Sequence, residues 1–199
     1  MASSKISRTQ AENGTNKLTI SAWVKKSGLG VDQTICTSFY STSYYGYLRF
    51  NGSDQLVFGD YRTTTLMILT TNAVFRDTSA WYHIVATFDA TVGSPQAKIY
   101  VNGVLQTLAT NTNYSQNSTI SWNTDYSFNI GSFNNGEYLD GSLAHFYYIQ
   151  GQSYDASTFG ETDATSGIWK IKTNPTIDYS STGTNSCHLK FEDASNLDL

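Results

Sequence analysis

The sequence predicts an all-β protein, and three observations carry that prediction. Trp81–Asp89 reads WYHIVATFD and Lys98–Val104 reads KIYVNGV. Asn102-Gly103 closes the second segment, the strongest short-range signal for a tight type I′ turn between antiparallel strands. About a dozen such segments follow one another at short spacing with turn residues between them, the pattern of a sandwich or barrel. Helical periodicity is nearly absent. The two prolines, 95 and 175, both fall in loops.

Taken in order, residues 1–16 are polar and form an N-terminal arm with one short strand at Lys5–Thr9. Leu18–Lys25 alternates Leu18, Ile20, Ala22 and Val24 on one face with Thr19, Ser21, Trp23 and Lys25 on the other, as a strand does. Gln33–Phe39 is the next candidate. Tyr45–Phe50 and Gln55–Phe58 flank the turn Asn51-Gly52-Ser53-Asp54. Thr64–Leu69, Trp81–Asp89, Ala97–Val101, Val104–Ala109, Tyr126–Ile130 and Tyr138–Gln150 continue the series. Ile168–Lys172 and Ser186–Phe191 end it. Asp155 is placed to cap a single helical turn up to Phe159. Thr110–Asn123 and Thr162–Gly167 are polar and are expected to be surface loops. With no linker or internal repeat, residues 17–199 form one domain.

The 199 residues fit one large β-domain that needs no covalent staples. Charged residues make up only 14%, against an aromatic content of 14% with 14 Tyr and 4 Trp, which excludes a disordered chain. A net charge of −4 leaves no footprint for nucleic acid or an anionic membrane. No run of 18 apolar residues exists, so membrane insertion is not expected. The N-terminus shows no apolar signal core, which disfavours a secreted lectin. Cys36 and Cys187 share no CxxC motif; burial of both as small apolar groups and a disulfide between them both stay open.

The strand series LTISAWVKK, WYHIVATFD, KIYVNGV and FNIGSF followed by LDGSLAHFYYIQ resembles, in that order, the laminin-G-like, concanavalin A-like family over residues 18–150. The resemblance implies a two-sheet antiparallel jelly-roll sandwich of the lectin/glucanase type. Trp23, Trp81, Tyr100 and Phe146 would then fill its core, and Gly131 and Gly141 would mark bends. The segment IQGQSYDASTFGETDATSGIWKIK with the closing CHLKFEDASNLDL is similar to domains of this family in phage virion proteins, particularly marine ones, which run somewhat further than Leu199. That similarity implies a fibre or capsid-surface protein in many copies or as a homo-oligomer, meeting other virion proteins and host-surface or environmental glycans.

Catalysis is not expected. Retaining glucanases of this fold place two carboxylates on one strand face. Here Glu137 and Asp140 diverge at strand period, Glu192 and Asp193 are adjacent, and Asp60 stands alone. His83, His145 and His188 share no metal-binding spacing, and no P-loop, GxGxxG or GxSxG motif occurs. Calcium, common at the rim of laminin-G-like domains, would have to draw on Asp60, Asp125, Glu137 and Asp140, which define no ligand set. No cofactor is therefore expected. Glycan binding would use aromatic platforms with amide and hydroxyl donors in loops: Tyr40, Tyr44, Tyr45, Tyr61, Tyr114, Trp122, Asn134 and Asn135, with Phe39 and Phe133 beside them. The competing class is a pure assembly or cement protein, anchored through the arm by strand addition.

Overall fold

The computed structural model describes residues 4–179 except 13, 15, 64 and 95, together with 185–191. Its strands are β1 (Ile6–Thr9), β2 (Lys17–Lys26), β3 (Gln33–Ser41), β4 (Tyr44–Phe50), β5 (Gln55–Arg62), β6 (Thr65–Val74), β7 (Tyr82–Asp89), β8 (Ala97–Val101), β9 (Val104–Leu105), β10 (Leu108–Thr112), β11 (Ser127–Ile130), β12 (Gly141–Gln150), β13 (Gly160–Thr162), β14 (Trp169–Ile171) and β15 (Cys187–Leu189). A seven-stranded sheet runs β1-β11-β3-β4-β5-β6-β10, and a six-stranded sheet runs β15-β12-β2-β7-β8-β9. A third, two-stranded sheet pairs β13 with β14. All pairings within the two large sheets are antiparallel. This is the jelly-roll sandwich that the sequence predicts.

Period-two alternation explains the core. Leu18, Ile20, Ala22 and Val24 of β2, Ile84, Ala86 and Phe88 of β7, and Phe146 and Tyr148 of β12 face inward. They meet Cys36, Leu48, Phe50, Leu56, Phe58, Leu69 and Phe128 of the opposite sheet. The rings of Phe128 and Tyr148 are 4.4 Å apart across the layer. At β8–β9 the turn is as expected, with Asn102 at φ 48° and Gly103 at φ 81°.

A second cluster, Val85, Tyr147, Ile149, Ala156 and Phe159, lies on the outer side of the six-stranded sheet, with Tyr154, Trp169 and Ile177 packed on it. The segment after β12 therefore folds back as a covering layer. This is why β7 is buried on both faces and its alternation is hidden in the sequence.

Several expectations change. Of the four large side chains expected in the core, only Phe146 is there. Trp23 and Tyr100 sit on the outer side of the six-stranded sheet, because the inward positions of β2 and β8 are taken by the residues on either side of them. Trp81 is 39% exposed just before β7. The Asp155 side chain makes no capping bond to the turn Ala156–Thr158; Tyr100 donates its hydroxyl to the Asp155 carboxylate instead, at 2.8 Å. The polar stretch 110–123 is not one surface loop. It carries β10 and then a buried 3₁₀ turn, Ser121–Asn123. Gly131 bends the chain at φ 82° just past β11. Cys36 and Cys187 are free thiols. Ile6–Thr9 of the arm is an edge strand paired with β11. Glu192 and Asp193 lie outside the described residues.

Candidate functional site

The outer side of the seven-stranded sheet carries aromatic rings set by strand register. Phe39 of β3 lies opposite Tyr45 of β4, and Tyr45 lies opposite Tyr61 of β5. Side chains directly opposite on adjacent strands touch, so the three form one row. Phe39 stacks on Tyr45 with centroids 6.4 Å apart, and Tyr45 meets Tyr61 at 5.4 Å. Two residues along β4, Tyr47 faces the same way, opposite Gly59. A β-carbon at position 59 would stand 2.4 Å from the Tyr47 ring. Only glycine lets that ring lie flat across the sheet.

Phe133 closes the row from above. Its ring meets Phe39 and Tyr45 edge-on, at 5.5 Å and 5.3 Å. It is held by a tight turn in which Phe133 and Gly136 exchange both backbone hydrogen bonds. Asn134 and Asn135 form its tip at φ 41° and 70°, a conformation that asparagine tolerates well. Both are exposed beside the aromatic row.

Charge borders the platform on the other side. The Arg49 guanidinium lies 4.8 Å above the Tyr47 ring. It donates to the Glu137 carboxylate at 2.8 Å and reaches Asp32 at 3.1 Å. Thr34 donates its hydroxyl to the same Glu137 oxygen at 3.3 Å. Burial pushes the phenols of Tyr45 and Tyr47 upward, so both stay protonated and keep a donor at neutral pH.

The residues named from sequence therefore separate. Tyr45, Tyr61, Asn134 and Asn135 come together with Phe39 and Phe133. Tyr40 and Tyr44 lie at the tip of the same β3–β4 hairpin, outside the row, where Tyr40 stacks on Tyr126 at 4.9 Å. Tyr44 meets Arg62 at 6.0 Å and, with Tyr114 and Asn117, lines a polar cleft of about 400 Å³. Tyr114 is nearly buried and donates its hydroxyl to Asp60 at 2.8 Å. Trp122 is fully buried and packs on Phe58 and Tyr148. These last two are core side chains; a polar neighbourhood in sequence concealed the inward turn that places them. Tyr47 and Arg49, on the same face, are not among the residues named from sequence. The hairpin about Asn51–Asp54 sets the face they share with Tyr45, so that signal was available.

The acids considered for calcium do not converge. Asp60 is fully buried in β5, facing inward, and accepts from the backbone N–H of Ser121 at 2.8 Å. Glu137 is tied to Arg49, and Asp125 is exposed. Among the described residues no group of three or more His, Cys, Asp or Glu side chains gathers to hold a metal.

The family model of the concanavalin A-like lectin/glucanases superfamily, Laminin G 3, matches residues 2–152. The chain belongs to that superfamily. Solved structures with the same fold include domains LG4-5 of the mouse laminin α1 chain (TM-score 0.54, 10% identity, covering 94% of this chain and 44% of that one). Domain 4 of an extracellular arabinanase from Geobacillus stearothermophilus, in complex with arabinotriose, matches at TM-score 0.51 and 21% identity over 65% of this chain and 58% of that one. Tailspike protein 2 of Escherichia coli O157:H7 bacteriophage CAB120 matches at TM-score 0.50 and 14% identity, over 78% of this chain and 22% of that one. The chain thus spans less than two thirds of each of these three. No curated protein matches the sequence.

Proposed function

We propose that this chain is a non-catalytic carbohydrate-binding domain displayed on a virion surface, and that the Phe39–Tyr45–Tyr61 row is its glycan platform. The row itself carries the reading. A sugar ring has apolar C–H faces and a polar rim, so it calls for an aromatic surface bordered by hydrogen-bonding groups. The row supplies the first; Asn134, Asn135, the tyrosine hydroxyls and the Arg49–Glu137 pair supply the second. Arg49 is paired with two carboxylates, Asp32 and Glu137, which fixes charged hydrogen-bonding groups at the border of the platform and suits recognition. The platform needs no cofactor. The arabinotriose complex of the arabinanase domain supports the ligand class. The tailspike match and the similarity of the C-terminal segment to phage domains support the setting. Many copies on a particle would turn weak single-site binding into useful avidity.

The test is a glycan array followed by calorimetry on the best hit. Tyr45→Ala and Tyr61→Ala are each expected to weaken binding about tenfold. Melting curves of both variants show that folding is retained. Unchanged affinity in both would remove the platform. A blank array from folded protein would leave the assembly reading, which the edge position of β1 favours because an edge strand can accept a partner's strand. Deleting residues 1–16 is a poor probe of that reading, since it strips β1 and the buried Gln10 from the fold.

A further inference from the structure

Three of the four tryptophans line one cleft on the opposite side of the molecule. Trp23 of β2, Trp81 before β7 and Trp169 of β14 surround a space of about 390 Å³, with Ala144, His145 and Ile171. The fourth, Trp122, is fully buried in the core. The three come from distant parts of the chain: the β2–β7 pairing brings Trp23 beside the segment of Trp81, and Trp169 joins them because the β13–β14 hairpin folds back over the six-stranded sheet.

Two of these rings are held rigidly. His83 is sandwiched between Trp23 and Trp169, with centroids 5.0 Å and 6.0 Å away and both planes tilted by 21°. Trp169 Nε1 donates to His83 Nδ1 at 2.9 Å. That acceptor role puts the imidazole proton on Nε2, which then donates to Ser21 Oγ at 2.9 Å. Glycines seat the Trp169 ring from both sides: a β-carbon at Gly103 or Gly160 would come within 2.5 Å of it. The site is thus formed before any ligand arrives, which lowers the ordering cost of binding. Trp81 is the accessible wall. At the floor, His145 sits at φ 46° in the bulge where β2 and β12 lose register, and such strained positions gather at binding sites.

The chemistry selects the ligand. The walls are aromatic and aliphatic. The one charged lining residue is Lys170, whose ammonium lies 3.0 Å from Asp163 and 3.6 Å from Glu161. A cationic ligand would meet that ammonium, and an anion would find it already satisfied. A neutral, flat ligand with an apolar face and a polar edge fits. The cleft's volume is at the lower end for small-molecule sites, which suits one or two sugar rings. We infer that the Trp23–Trp81–Trp169 cleft is a second carbohydrate site, binding a neutral hexopyranose ring on the sheet opposite the tyrosine row. This inference shares a ligand class with the proposed function but stands on different residues, so the two fail separately.

The tryptophans report on their own site, because the tyrosine row contains none. Intrinsic tryptophan emission should be titrated with methyl glucoside, methyl galactoside, methyl mannoside, maltose, lactose and cellobiose. A saturable shift with at least one of them is expected. Trp81→Ala should abolish it or weaken it tenfold or more, while Tyr45→Ala leaves it unchanged. Ala144→Leu, which keeps every tryptophan and fills the floor, should weaken it likewise. Melting curves of both variants establish that they fold. No saturable shift with any sugar, or a shift that survives both Trp81→Ala and Ala144→Leu in folded protein, overturns the second site. A glycan array lost only with Tyr45→Ala would leave the tyrosine platform standing alone.

Discussion

The two large sheets turn different aromatic faces outward. On the seven-stranded sheet, tyrosine and phenylalanine side chains form a row by strand register, with the Phe133 turn set against it. On the six-stranded sheet, tryptophans and a histidine stack beneath a hairpin that arrives from residues 160–171. The first face is made by neighbours in a meander. The second is made by residues from three distant segments. The contrast teaches that one sandwich can generate two aromatic surfaces by unlike means, one from pairing and one from a covering layer. It continues inside each sheet, where burial favours the neutral form of an otherwise charged side chain. In the seven-stranded sheet burial raises the pKa of Asp60; in the six-stranded sheet it lowers that of His83.

The largest expected effect follows from that pair, and the signs oppose. Burial pushes Asp60 up to about 7, against hydrogen bonds from Tyr114 and Ser121 that pull it down. Its native state holds a proton that the unfolded chain releases above about pH 4, so its stabilising contribution is lost as pH rises from about 4 through 7. Burial pushes His83 down to about 3. The unfolded chain binds that proton first, so stability is lost as pH falls from about 6.5 towards 3. Each effect is on the order of 4 kcal/mol when complete. Between pH 4 and 6.5 they largely cancel, and urea denaturation of the parent protein should give a shallow profile. Asp60→Asn keeps the shape and removes one partner of the cancellation. Its stability should climb by several kcal/mol across the same window. Superimposable profiles for the two proteins would show that Asp60 is ionised in the fold, and the symmetry between the sheets would break.

The next effect tests how each face is seated. Tyr47 lies over Gly59, and Trp169 lies over Gly160; a β-carbon at either would come within 2.4 Å or 2.5 Å of the ring. Overpacking of this kind costs about 1–3 kcal/mol. Gly59→Ala acts in a central strand and should lower the melting temperature of the whole domain. Gly160→Ala acts in a peripheral two-stranded sheet, which can open locally. It should increase amide exchange at 160–171 while the global melt moves less. Equal shifts in both melts would mean that the hairpin is as integral to the fold as β5.

How far each face was legible in the sequence follows from its construction. The tyrosine row needs only period two and a hairpin register, and both were visible around Asn51–Asp54. Tyr45 and Tyr61 are named from sequence as loop aromatics, but they stand in β4 and β5, and the same register sets Tyr47 and Arg49 beside them. The tryptophan cleft depends on where residues 160–171 dock. No local pattern encodes that docking, so Trp23 and Trp81 were assigned to the core, although the alternation of β2 already set Trp23 on the face away from Leu18, Ile20, Ala22 and Val24. Trp122 failed for the opposite reason. Its neighbours Ser121, Asn123 and Thr124 are polar, but they are buried, and side-chain bonds to backbone tie the turn into the core, such as Ser38 to the Ser121 carbonyl at 2.7 Å and Thr124 to the same oxygen at 2.9 Å. Polarity marked a hydrogen-bonded plug rather than a surface loop.

The smallest effect separates binding from stability at the charged borders. Arg49 is partly exposed, as are Asp32 and Glu137, so its ion pairs are screened and contribute at most about 1 kcal/mol to folding. The guanidinium over Tyr47 adds a cation–π contact of similar size. Arg49→Met preserves much of the aliphatic packing and removes the charge. Its melting temperature should move by only a few degrees, yet glycan affinity should fall several-fold, because the platform loses the guanidinium donors at its border and the ion pairs that hold Glu137 and Asp32 in place. Arg49→Lys should recover the charge but not the planar stacking, and should therefore restore affinity in part. On the other face, Lys170 is exposed and its pairing with Asp163 is local to the hairpin. Lys170→Met should leave the melting temperature and the affinity for the tyrosine-row ligand unchanged, and should touch only the tryptophan emission titration. If Lys170→Met weakens the tyrosine-row ligand as Arg49→Met does, the two faces are reading one extended ligand, and their separation as independent sites is wrong.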